Sequence, residues 1–147
     1  MSLPDPHYQP DFYAGVVPKR LLAWVVDTVL ITLLTIVVGI ISFGVGLFLF
    51  FAVFGVLGFI YRFVTLANGS ATWGMRFVGV ELRTANGTRF DATAAFLHTL
   101  GYTVSLAVPP LQLVSVVLML ISSRGQGLTD IVLGTAMLNR RAAVRTR

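Results

Sequence analysis

Asp27 constrains this chain most. It sits inside the run Leu21 to Ile41, which carries no other charge. About 20 apolar residues are enough to cross a bilayer as a helix, so the run reads as a transmembrane span with Lys19 and Arg20 at its mouth. An acid within such a span costs at least ~2.5–3.5 kcal/mol on insertion scales, which makes it a functional-site candidate with a partner to find. Arg20 lies two turns before it, ~10.5 Å along the axis and on nearly the same face. Thr28, Thr32, Thr35 and Gly39 share that side, with Trp24 beside them, while Leu, Val and Ile fill the other. The polar side should face protein or water. The threonines are equally explained by hydroxyls returned to the helix backbone.

The rest of the chain agrees with a membrane setting. Hydrophobic residues make up 56% and charged residues 12% of the 147, which leaves no room for a separate soluble domain. There are no cysteines, so disulfides, thiolate metal sites and cysteine nucleophiles are excluded. The net charge of +5 fits basic cytoplasmic loops better than nucleic-acid binding. Residues 1–17 read as a flexible polar tail and lack the pattern of a cleavable signal peptide. His7, within that tail, reads as solvated.

A second apolar run, Leu47 to Leu66, follows an uncharged turn at Ser42 to Gly46 and must be an antiparallel neighbour of the first. Gly55 and Gly58 would let another helix approach, but no clean GxxxG pair is present, so a homo-oligomer is left open. Tyr61 and Arg62 mark the return to the interface, the arginine by snorkelling. Between Asn68 and Thr93 lies a polar loop. There Met75 to Arg83, the Asn86-Gly87 turn and Thr88 to Phe90 predict a small β-hairpin on the membrane surface. A third apolar region, Ala94 to Ile121, is cut by Pro109-Pro110. It is either one kinked span or a re-entrant hairpin. Basic residues cluster before the first span, after the second and after the third region, and can share one side only if the third region turns back. The hairpin is therefore favoured, with both termini and the polar loop cytoplasmic. Near the end, Thr129 is placed to cap a short helix containing Asp130. Ala136 to Leu138 reads as a strand, and residues 139–147 form a basic tail suited to anionic lipid.

Lys19-Arg20-Leu21-Leu22-Ala23-Trp24-Val25-Val26-Asp27, followed much later by Leu128-Thr129-Asp130-Ile131-Val132-Leu133-Gly134-Thr135, resembles the RDD family of membrane proteins, whose name comes from this arginine and two aspartates. The loop segment Thr72-Trp73-Gly74-Met75-Arg76-Phe77-Val78-Gly79-Val80, with Asn86-Gly87 behind it, is similar to the family's loop. Three positions depart from the family pattern: Met75 stands where a lysine is usual, His98 where an arginine is usual, and Thr129 where histidine is common. The resemblance implies a small polytopic membrane protein, for which transport of ions or small ligands has been proposed.

The expected architecture is an all-α integral membrane protein. It has two full transmembrane helices, a Pro-Pro-bent third region and a cytoplasmic-side β-hairpin, with a single domain over 18–138. The expected location is the bacterial inner (cell) membrane. Arg20, Asp27 and Asp130 are the leading site residues, with a small cation or proton as partner. An arginine can hold one carboxylate bidentately while another lies deeper. His98, Thr28 and Arg76 are secondary. His98 is a candidate proton relay by its near-neutral pKa, weighed against an imidazole simply bonded to backbone. No metal-ligand spacing, phosphate-binding glycine loop or nucleophile–base pair is present, so neither an enzyme nor a cofactor is expected. The competing expectation is a scaffold or accessory subunit in which the same charges only lock the helices.

Overall fold

A computed structural model describes residues 3–140. The first apolar run forms α1, Val16–Ile41, which at 26 residues spans about 39 Å. Its buried positions include Ala23, Asp27, Thr35 and Gly39, the small and polar side read from the sequence. Leu21, Val29, Leu33 and Ile40 point outward and are exposed. The hydroxyls of Thr32 and Thr35 return to the carbonyls of Thr28 and Ile31 at 2.7 and 2.8 Å.

The second run is broken near its start. A short α2, Val45–Phe48, precedes α3, Phe50–Ala67, with Leu49 as the hinge between them. Gly44 enters this corner at φ 91°, and Gly46 packs so closely on Gly39 that a Cβ would stand 2.9 Å from the Gly39 Cα. Glycine pairing of this kind brings α2 back against the end of α1. Further along α3, Gly58 meets Ile31 of α1, while Gly55 faces open space.

The third region is two helices, α5 (Ala92–Ala107) and α6 (Pro109–Ile121), whose axes diverge by 117° at the break. At 16 and 13 residues they measure about 24 and 20 Å, each shorter than a ~30 Å hydrocarbon core. Both prolines fall in the first turn of α6, where their missing N–H groups cost nothing. Phe96 of α5 fixes this unit to α3 by edge contacts with Phe59 and Phe63 at 5.9 and 6.0 Å.

The polar loop differs from the expected hairpin. Trp73–Val78 forms α4, because Thr72 caps it by accepting from the Met75 amide and Gly79 ends it at φ 80°. The strand that follows, β1 (Val80–Arg83), pairs not with Thr88 to Phe90 but with β2 (Ala136–Asn139). The pairing is antiparallel, with Val80 opposite Asn139 and Arg83 opposite Ala136. Only a single bridge, Arg83 to Arg89, remains of the hairpin, closed by the turn at Gly87. The Glu81 side chain, buried beneath β1, is met by Arg83, by Arg89 at 3.6 Å and by Arg140 at 3.4 Å. This charge network explains why an acid is tolerated inside the sheet layer.

The amino-terminal segment, read as a flexible tail, is packed here. Pro10–Phe12 forms a single 3-10 turn, and Phe12 is buried against Leu138. Asn139 Nδ2 donates to the carbonyls of Asp11 and Ala14, and Lys19 Nζ donates to Asn139 Oδ1. The start of the chain, the loop after α3 and the segment after α6 thus meet at one end of the bundle. The main apolar core, including Val16, Leu66, Met75, Leu82 and Met137, lies there too. Beyond it the helices carry their apolar side chains outward, as a lipid environment requires. Residues 141–147, most of the expected basic tail, lie outside the described residues.

Candidate functional site

The three leading residues occupy two clusters, not one. In the first, Asp27 is buried on α1 and accepts three hydrogen bonds. Tyr61 Oη of α3 donates to Oδ1 at 2.6 Å and the Gly74 amide to the same oxygen at 2.9 Å, while Thr72 Oγ1 donates to Oδ2 at 2.6 Å. The close approach requires Gly74: a Cβ there would lie 2.3 Å from the Ala23 carbonyl and 2.7 Å from Asp27 Oδ1. The partner sought for Asp27 is thus a set of neutral donors that ties α1, α3 and the start of α4 together. Arg20 is not among them.

Arg20 instead pairs with Asp130, Nη1 to Oδ2 at 2.7 Å. Asp130 sits on α7, Leu128–Leu133, and reaches back to accept from the Gly127 amide at the helix start. The capping residue is therefore Gly127, and Thr129 instead packs against Gly101 of α5. Asp130 Oδ1 also receives Thr135 Oγ1 at 2.7 Å and faces His98 Nε2 at 2.8 Å. Burial alone would push the Asp130 carboxyl up. The Arg20 guanidinium and the His98 and Thr135 hydrogen bonds outweigh burial and hold it well below the usual carboxylate range. His98 is thereby brought into the cluster by its side chain, not by a backbone bond, and its Nδ1 is buried without a partner among the described residues.

The secondary candidates separate. Arg76 donates to the carbonyls of Ala71 and Thr65 and braces the loop after α3. Thr28 contributes its carbonyl to Thr32 and lies beside the Asp27 cluster only by sequence.

Both clusters border one cavity of about 590 Å³, lined from α1 by Arg20 and Asp27 and from α5 and α7 by His98 and Asp130. Two lining residues escaped the sequence reading. Arg62, expected to snorkel, is instead buried on α3 with its guanidinium stacked 4.1 Å over the Tyr102 ring. Tyr102 Oη accepts from Trp24 Nε1 at 2.7 Å, which joins α5 to α1 across the cavity. The signal for Arg62 was present: it is a charge inside an apolar run, as Asp27 is. Tyr61, Thr72 and Gly74 carried no comparable signal, because their role depends on where the loop docks.

No curated protein and no solved structure matches the chain. The model of the RDD family matches residues 13–134, a span that includes Arg20, Asp27 and Asp130 with both of their clusters, and the chain belongs to that family.

Proposed function

We propose that this protein is a small membrane transporter in which the Arg20–Asp130–His98 cluster, on the wall of the neighbouring cavity, responds to protons and drives movement of the transported species. A proton or small cation is the first candidate. The observation that carries this reading is the shared wall: a buried ion pair and an imidazole with a free nitrogen border one 590 Å³ space beside the span. A proton reaching His98 Nδ1 would create an imidazolium held by Asp130, and the Arg20–Asp130 pair would then be shared between two cations. Loosening of that pair would release α7 from α1. In this reading Asp27 fastens the loop to the helices and leaves the proton chemistry to the second cluster. The end of the bundle holding Lys19, Arg83, Arg89, Arg124 and Arg140 faces the cytoplasm, in line with the positive-inside rule.

The experiment is a flux measurement in proteoliposomes carrying a trapped pH-sensitive dye. Addition of sodium or potassium outside should change internal pH with wild type, and His98→Gln should lose most of that response. No response from wild type, or equal responses from both, removes the reading. One observation favours a second reading, a scaffold or accessory subunit: every carboxylate oxygen of Asp27 and Asp130 already has a donor. That reading predicts reduced folded yield on removal of either acid and no flux at all.

A further inference from the structure

Arg62 is the permanent charge that neither cluster accounts for. Asp27 is occupied by Tyr61, Thr72 and Gly74, and Asp130 by Arg20, His98, Thr135 and Gly127. Among the described residues, no carboxylate lies within ion-pair distance of Arg62, and its Nε is buried without a hydrogen-bond partner. A guanidinium offers five N–H donors in a planar fork and cannot shed its charge. Buried on a transmembrane helix, it needs an acceptor that the described residues do not supply.

Two other unused groups lie near it. Tyr102 Oη accepts from Trp24 and gives its own proton to no described residue. His98, one turn before Tyr102 on α5, has an Nδ1 without a partner among the described residues. Against these few polar groups, the cavity wall is largely apolar and includes Met75, Met119 and Met137. Unbranched thioethers adapt to flexible chains. Its size falls within the ~300–1,000 Å³ usual for small-ligand sites. Its rim carries Leu21, Leu106, Val116 and Leu120, which are themselves exposed on the outer, lipid-facing surface.

We propose that this cavity binds a long-chain carboxylate that enters from the membrane, its head on the Arg62 guanidinium and its chain among the methionines. A carboxylate matches the guanidinium fork bidentately, and the apolar wall selects a chain in place of a free anion. The site goes beyond the proton-linked reading and does not rest on flux: binding is measured without transport, so failure of one leaves the other standing.

The test uses the purified full chain in neutral maltoside micelles. Trp24 borders the cavity, so dibromostearate bound there should quench tryptophan fluorescence saturably, and palmitate should reverse the quenching. The methyl ester of the same brominated acid, with a neutral head, should bind wild type at least tenfold more weakly. Arg62→Gln should weaken the acid by a similar factor and leave the ester unchanged. Equal binding of acid and ester to wild type would overturn the proposal whether or not the variant folds. Unsaturable quenching would also overturn it, and displacement by inorganic phosphate alone would assign the site to a soluble anion.

Discussion

Replacement of Asp27 tests whether the acid inside the span is a fastening. In Asp27→Ala three donors lose their acceptor. Gly74 N–H is fixed by the backbone and buried, so its loss counts in full at about 1–3 kcal/mol. The Tyr61 and Thr72 hydroxyls can rotate, but each gives up a hydrogen bond to a charged group, about 1.5–3 kcal/mol apiece. Relief of the buried carboxylate's desolvation offsets part of this, leaving an expected net loss of about 3–6 kcal/mol. Asp27→Asn behaves differently. Its Oδ1 can keep both Tyr61 and Gly74, and Thr72 Oγ1, which already accepts from the Met75 amide at 3.2 Å, can turn to accept from Nδ2 as well. What disappears is charge assistance, so the cost should be about 1–3 kcal/mol. The assay is unfolding by sodium dodecyl sulfate from maltoside micelles, followed by tryptophan fluorescence. Trp73 reports on this corner because its ring stands edge-on to Tyr61 at 5.9 Å. Equal losses for Ala and Asn, or a loss below about 1 kcal/mol for Ala, would refute the fastening argument.

Arg20→Ala should cost about 3–5 kcal/mol in the same assay by stranding the Asp130 charge. Because the folded Asp130 carboxyl lies below its ordinary value of 3.8, its stabilisation is present at neutral pH and is lost as pH falls below that value; acid titration of Asp130→Asn should show a flatter decline there. For topology, single cysteines at Gln9 and Asn86 should react with an impermeant reagent only after cells are opened, whereas Phe43→Cys, fully exposed at the corner between α1 and α2, should react in intact cells. Labelling of Gln9→Cys and Asn86→Cys from opposite sides would break the shared end on which the fold depends.

Much of this architecture was legible because lipid-facing helices advertise themselves. The first two apolar runs, the break at Pro109-Pro110 and the pairing of Arg20 with Asp130 followed from run length, proline chemistry and charge placement. The miss at the loop has a different origin. The alternation from Met75 to Arg83 suits a strand, but Thr72 and Asp27 together start a helix there, and only residues 80–83 are left to extend. The partner of those residues lies more than fifty positions away, where short-range pattern says nothing about pairing. Setting Asp27 in one site with Arg20 and Asp130 did not anticipate two separate clusters, for a similar reason. Arg20 and Asp27 share a helix face and border one cavity, but Tyr61, Thr72 and Gly74, two of them from the docked loop, take up the Asp27 carboxylate. Phe12 was hidden in a segment whose prolines and polar residues gave no periodic signal.

The pairing of β1 with β2 also sets an order on synthesis. Helices α1 and α3 can enter the membrane as they leave the ribosome, but β1 must wait, with its pairing edge open and Glu81 short of Arg140, until residues 136–140 have been made. A segment translated more than fifty residues after β1 is therefore the clasp that closes it, and a ribosome stalled before Ala136 would leave a membrane protein with its helices inserted and its cavity missing Met137.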